Sequence, residues 1–227
     1  MRWFIIIVLP FIISCQTFKK VIFIPRTSSL TGNEFYHAAF TMKWKARDSF
    51  AQKEVLAGNI PSFLKKFKRI EVSIIDSSTG KSINAEYFVS PDYLSIGTDD
   101  NWARINITPL AAQKIADSFN CFLPTRKMVD DIYKAAKIKL EPVPMFAFRD
   151  STPTMWHHNL IIEGQRKGRK GLIAGIQKDV VISGKISRDA KPDRVAIMDG
   201  TNLMAFLFNH YIQVTFIGGL IIARVFV

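Results

Sequence analysis

Cysteine is almost missing from this chain: two thiols, Cys15 and Cys121, stand in 227 residues. Cys15 falls inside an apolar N-terminal run laid out like an export signal, so one thiol is left in the body and an internal disulfide framework is excluded. Histidine is scarce too, at four. No two histidines stand three or four residues apart, the spacing that lets a helix aim a pair at one metal, so no metal site is expected. Acids are outnumbered, 19 Asp and Glu against 31 Lys and Arg, leaving a formal net charge of +12. That balance favours anionic surroundings such as phosphate-rich membrane faces or acidic polymers, although plain solubility accounts for it equally well. No nucleophile elbow, P-loop, dinucleotide fingerprint or zincin helix is present, and no cofactor is expected. Repeats and low-complexity tracts are absent as well.

What is present begins with charge placement. Most basic residues are scattered, but two clusters stand out: Lys65, Lys66, Lys68 and Arg69, and Arg166, Lys167, Arg169 and Lys170. The first ends an apparent helix and the second lies in a Gly-punctuated loop. No aromatic residue interleaves the second cluster, so nucleic acid is not an expected partner.

The N-terminus reads MRWFIIIVLPFIISCQ. One early cation, Arg2, precedes an apolar run from Trp3 to Ile13 that is short for a bilayer span and suits a signal peptide. The run closes Ile12-Ile13-Ser14-Cys15, which resembles the lipobox of bacterial lipoproteins, where a small residue precedes the cysteine that takes the lipid. Residues 1–15 are therefore expected as a signal peptide, Cys15 as the lipidation site, and the membrane as a partner through that lipid. Gln16 is not the Asp that holds such proteins in an inner membrane, so an outer-membrane location is expected in a Gram-negative cell envelope.

The length suits one domain with a real core. After a polar tether over 16–33, residues 34–197 read as one α+β domain of antiparallel hairpins and a mixed sheet packed with three or four helices. Phe35 to Gly58 looks helical, with Asp48 or Ser49 capping its second half and Gly58-Asn59 ending it. Strands Glu71–Ile75 and Ile83–Ser90 flank the turn Asp76-Ser77-Ser78-Thr79-Gly80, and Tyr93–Gly97 pairs with Ala103–Ile107 about Thr98-Asp99-Asp100-Asn101. Thr108-Pro109 opens a helix with apolar Leu110, Ile115, Ala116 and Phe119. Pro124-Thr125 opens another, and Ser151-Thr152-Pro153 a third. Ile138 to Phe148, with its prolines, should run extended along an edge. Leu172–Ile176 and Val180–Ser183 read as buried strands, and Arg194–Ile197 starts one more.

Few residues offer chemistry. Cys121 precedes the helix at Pro124, where a helix N-terminus can lower a thiol pKa and make a nucleophile, with His157 or His158 as its base. A small buried apolar residue is the simpler reading. His157 and His158 are adjacent, so on a helix they point about 100° apart and cannot share one metal. Asp99 and Asp100 suit a hairpin tip by turn chemistry alone, and as a carboxylate pair they also suit acid–base work. Arg104, shortly after, is a candidate anion contact, and so is Lys178. Arg126 and Lys127 oppose the dipole of the helix they begin, which hints at an anion contact. Lys178 and Asp179 interrupt a buried stretch and suit a strand-end pair or a cleft wall. Two functional classes fit: a hydrolase acting on envelope material, and a non-catalytic envelope protein, expected to be a monomer, that binds an anionic glycan, peptidoglycan or a partner protein.

Several stretches together resemble an uncharacterised family of secreted bacterial proteins and lipoproteins: GNIPSFL, SPDYLSIGTDD, RINITPLAAQKIAD, CFLPTRKMVDDIYKAA, HNLIIEGQR, and GLIAGIQKDVVIS followed by RVAI. The resemblance covers roughly residues 44–197 and implies a shared fold and an exported location, with no established reaction. Members continue with a pattern like YGWHxxxGxPIQPLYxGH and end near DYSHGIR. This chain departs from that pattern at Met198. Reading the third base of each codon with the first two of the next recovers almost all of it: Met198-Asp199 then forces Gly, the next two pairs permit Trp and His, Met204-Ala205 forces Gly, and His210-Tyr211 forces Leu, whereas Ala223-Arg224 cannot give the His of the closing pattern. Residues 198–227 are thus expected to be a frameshifted, aberrant hydrophobic tail. The competing reading is a membrane helix over Met204–Ile222, burdened by Asn209, His210 and Gln213 at bilayer depth.

Overall fold

The computed structural model describes residues 21–148, 150–176, 179–184, 188, 190, 194–199, 202–207 and 221–225. Within them the chain forms an α+β domain. Thr31 starts α1 (Gly32–Ala38) through a capping box: its side chain accepts from the Glu34 N–H, and the Glu34 carboxylate accepts the Thr31 N–H at 2.8 Å. The expected helix over Phe35–Gly58 is two helices, because a turn at residues 39–41 separates α1 from α2 (Trp44–Leu56). Neither Asp48 nor Ser49 caps α2. Asp48 lies inside it and accepts the N–H and hydroxyl of Thr108 at 2.8 and 2.7 Å, tying α2 to the next helix. Gly58 does close α2, at φ +71°; a Cβ there would stand 2.5 Å from the Pro25 carbonyl oxygen.

A 3-10 turn over Ser62–Lys65 leads into β1 (Lys68–Ile75), so the first basic cluster, expected at the end of a helix, runs from the end of this turn into a strand. β1 pairs antiparallel with β2 (Ser82–Val89), from Lys68↔Val89 to Ile75↔Ser82. Asp76 holds their turn, accepting from the Ser78 N–H, the Ser78 hydroxyl and the Thr79 hydroxyl. β3 (Ser95–Gly97) and β4 (Trp102–Arg104) form the second expected hairpin. Thr108 and Pro109 begin α3 (Pro109–Ser118), Thr125 caps α4 (Arg126–Ala135), and Ser151 caps α5 (Thr152–Arg166), as the cap residues predict. β5 (Ile138–Lys139) and β6 (Ile173–Ala174) supply a short parallel pair. β7 (Asp179–Val181), β8 (Arg194–Asp199) and β9 (Asn202–Leu207) form an antiparallel sheet, and β10 (Ile221–Val225) adds to the free side of β2.

The main core packs α1, α2, α3 and the β3–β4 hairpin around Phe35, Val55, Ile96, Ile107, Ile115 and Phe119. A second cluster joins Ile70, Tyr87 and Val89 to Ala136, Leu172 and Ala174, and a third joins Tyr93, Ile138 and Leu140 to Ile162, Ile173 and Ile176.

Three expectations change here. Leu110 is 70% exposed, because the buried stripe of α3 is Ala111, Ala112, Ile115 and Ala116 and Leu110 stands off it by one residue, about 100°. The segment expected as a tether is fastened to the domain over residues 21–33: Ile22 N–H donates to the Phe119 carbonyl, Thr27 N–H donates to the Ala57 carbonyl, and Arg26 Nη2 donates to Asn59 Oδ1 at 2.7 Å. Its polar side chains serve as bonding groups rather than as a solvated spacer. Finally, the ends of the proposed membrane helix are strand: Met204–Leu207 lies in β9 and Ile221–Ile222 in β10, and the residues between lie outside the described set. Among the described residues no helix is long and apolar enough to cross a membrane.

Candidate functional site: a basic cleft beside a buried arginine

The β3–β4 hairpin positions the centre of the site. Its turn is tight because Gly97 sits at φ +124°, with the Asn101 carbonyl where a Cβ would be and the Gly32 nitrogen 2.7 Å from that point. This lets Gly32 N–H donate to the Asn101 carbonyl at 2.9 Å, which docks α1 on the hairpin. Trp102 follows and is half-buried. Phe63 meets its ring edge-on at 4.9 Å between centroids. The guanidiniums of Arg104 and Arg166 lie 5.0 and 5.2 Å from the Trp102 centroid, within cation–π range.

Arg104 is 3% exposed and fully engaged. Its Nε and Nη2 donate to the two oxygens of Asp92 at 2.8 and 2.6 Å, a bidentate pair, and its Nη1 donates to Glu163 at 2.6 Å. Its backbone N–H donates to Asn159 Oδ1, and its carbonyl accepts the Tyr36 hydroxyl at 2.6 Å. Burial works against the Arg104 charge, but Asp92 and then Glu163 outweigh it and raise its pKa above the ordinary value. Glu163 also accepts from Arg166 Nε and Nη2, at 2.9 and 2.6 Å. Asp92, Arg104, Glu163 and Arg166 therefore form one chain of charges linking the hairpin to α5.

Beside this chain opens a cleft of about 420 Å³. Lys66 and Lys68 reach it from the 3-10 turn and β1. Arg166, Arg169 and Lys170 reach it from the end of α5, where Lys167 at φ +50° and Gly168 at φ +70° turn the chain back. The two basic clusters, a hundred residues apart in sequence, thus meet on one concavity, with Trp102 and Phe63 as its aromatic wall. The cations differ in freedom. Arg166 is held by Glu163, and Arg169 donates to the backbone carbonyls of Arg166 and Gln165. Among the described residues Lys66, Lys68 and Lys170 have no ion-pair partner.

The expected site residues fare differently. Asp99 lines the cleft, where it accepts the Ser62 N–H at 2.6 Å and the Ser62 hydroxyl. That hydroxyl chiefly, with Lys66 also contributing, holds its carboxyl below the usual range. Asp99 is thus a fixed carboxylate that joins the hairpin tip to the 3-10 turn, and Asp100 is exposed beside it. Arg104 is not an anion contact, since its donors are spent on Asp92 and Glu163. Lys127 is spent as well, on both oxygens of Asp131 at 2.6 and 2.7 Å, and Arg126 has its own partner. This i,i+4 pair answers the dipole mismatch that suggested an anion.

Cys121 is buried, with its thiol 3.5 Å from the Phe119 carbonyl, and burial pushes its pKa up to about 12 rather than down. The simple packing reading of Cys121 is the one the geometry favours. His158 is buried and His157 exposed. Burial first, and the Arg104 charge second, lower the His158 pKa, so its imidazole is neutral at neutral pH. Neither histidine nor Cys121 lines the cleft. Lys178 and the side chain of Asp179 lie outside the described residues, as does Cys15. Among the described residues no group of three His, Cys, Asp or Glu side chains converges as metal ligands would.

Sequence reasoning found both basic clusters and Arg104 but missed Asp92, Glu163, Trp102 and Phe63, which no local pattern marks. Comparison with protein-family models, curated proteins and solved structures returns no match.

Proposed function

We propose that this protein is a non-catalytic, exported envelope protein, lipid-anchored at Cys15, that binds an anionic chain molecule in the basic cleft. The observation that carries the binding reading is the convergence of Lys66, Lys68, Arg166, Arg169 and Lys170 around Trp102 and Phe63 in one concavity. Such a surface attracts and holds an anionic ligand, and clustered lysines make the attraction salt-dependent. The hydrolase alternative is the weaker one. It needs an activated nucleophile or a poised base at the cleft, and the Cys121 thiol is pushed up to about 12 while His158 is buried and neutral. The envelope location and the anchor are supported by the lipobox-like Ile12–Cys15 and by the family resemblance of residues 44–197.

The test is a binding titration of the detergent-solubilised full chain against two soluble polyanions, inorganic polyphosphate and polygalacturonate. The wild type is expected to bind at least one of them. The triple substitution Lys66→Gln, Lys68→Gln, Lys170→Gln is expected to lose at least tenfold in affinity. Absence of binding to either polymer, or full binding by the triple variant, contradicts the proposal.

A further inference from the structure

The chain is first fastened to the domain at Ile22, whose N–H donates to the Phe119 carbonyl at 3.0 Å. Val21 and Phe23 line an apolar hollow with Ile60, Leu64, Leu94 and Phe119, while Ile22 between them is 55% exposed. Phe23 is 45% exposed as well, with its ring 6.4 Å from that of Phe67. Lys65 Nζ lies 5.8 Å from the Phe23 centroid, within cation–π range, and has no ion-pair partner among the described residues. Two exposed apolar side chains and one ammonium thus share the surface where the chain joins the domain. None of the three lines the basic cleft.

Cys15 stands seven positions before Ile22, and such a stretch spans at most roughly 25 Å. Its sequence carries Lys19 and Lys20 and no acid. A lipid on Cys15 therefore keeps Ile22 within about that distance of the headgroup layer, whatever path the chain takes between them. An ammonium that comes within a Debye length of an anionic leaflet, about 8 Å at physiological ionic strength, is drawn to it. Apolar side chains beside that ammonium gain by leaving water.

Resting on the Cys15 anchor proposed above, we infer that Ile22, Phe23 and Lys65 form a membrane-docking surface. It seats the domain directly on a bilayer with anionic headgroups instead of leaving it free on its tether. Lys65 meets the headgroups, and Ile22 and Phe23 enter the interfacial layer beneath them.

The experiment places a nitrobenzoxadiazole label on Ile22→Cys in the lipidated full chain, reconstituted in vesicles that contain a nitroxide-headgroup lipid. Cys15 is blocked by its lipid, and Cys121 is buried with a pKa pushed up to about 12, so the label enters one position. In vesicles of phosphatidylglycerol mixed with phosphatidylcholine, emission is expected to be quenched at least twofold. The ratio of docked to undocked chain should fall at least fivefold in phosphatidylcholine alone, and again in about 1 M salt, although the lipid still holds the chain on the vesicle. Lys65→Glu should lower the same ratio at least fivefold on the mixed vesicles. Quenching that is weak on the mixed vesicles, insensitive to salt or unmoved by Lys65→Glu overturns the docking surface. If mass spectrometry finds the acyl group on Cys15, that result leaves the anchor reading intact. A mature chain with no acyl group at Cys15 overturns the anchor reading and the docking surface with it.

Discussion

Removing the Arg104 side chain should destabilise the protein severely, and the cost should fall on one partner. In Arg104→Ala, Glu163 is partly exposed and keeps Arg166, so it loses little. Asp92 is 3% exposed and loses both of its bonds to a cation, keeping among the described residues the Tyr93 N–H at 2.7 Å. An uncompensated buried carboxylate of this kind costs roughly 3–5 kcal/mol. With a urea dependence of about 2–3 kcal/mol per molar, the unfolding midpoint should fall by about 1–2 M. Urea unfolding at pH 7 measures the loss. The double substitution Arg104→Met, Asp92→Leu removes the stranded charge and should recover most of the loss. A deficit under about 1 kcal/mol for Arg104→Ala at pH 7, or no recovery in the double variant, refutes the reasoning.

Three further outcomes follow. In a Cys15→Ser background, Cys121 should resist maleimide at pH 8 in the native protein and react fully in denaturant, because its thiol is buried and pushed up to about 12; native labelling at the rate of a free thiol would disprove this. The lowered pKa of His158 means the unfolded chain takes up its proton first as pH falls below about 6.5, so stability should drop from pH 7 to pH 5. In His158→Gln that drop should shrink, as followed by thermal unfolding at each pH, and an unchanged slope counts against a neutral buried imidazole. Last, the gene read one position out of frame from the codon of Met198 should encode Gly-Trp-His and later Pro-Ile-Gln-Pro-Leu; an early stop in that frame ends the frameshift proposal.

The fold was most legible where local chemistry is self-contained. Thr108-Pro109, Thr125 and Ser151 each announce a helix start, because a cap needs only its own next turn. The turn Asp76–Gly80 likewise sets the β1–β2 register within ten residues. What failed depended on distant partners. Asp48 looks like a cap until Thr108, sixty residues on, claims its carboxylate. Residues 21–33 look like a tether until Ala57, Asn59 and Phe119 bond to them. The site was legible in the same divided way. Charge clustering revealed the cations, but that residues 66–68 and 166–170 face one cleft depends on β1 and the end of α5 lying together. Arg104 drew notice as a ligand contact because the sequence alone does not show that Asp92 and Glu163 enclose it.

In the proposed complex an anionic chain lies on Lys66, Lys68 and Lys170, which have no ion-pair partner among the described residues. The dependence of polyphosphate affinity on salt, compared between the wild type and the Lys66→Gln, Lys68→Gln, Lys170→Gln variant, tests it most directly. Each charge contact to a flexible polyanion contributes roughly 0.7 to the slope of log affinity against log salt, so the variant's slope should be shallower by about 2. Equal slopes for the two proteins would mean that these lysines do not touch the ligand.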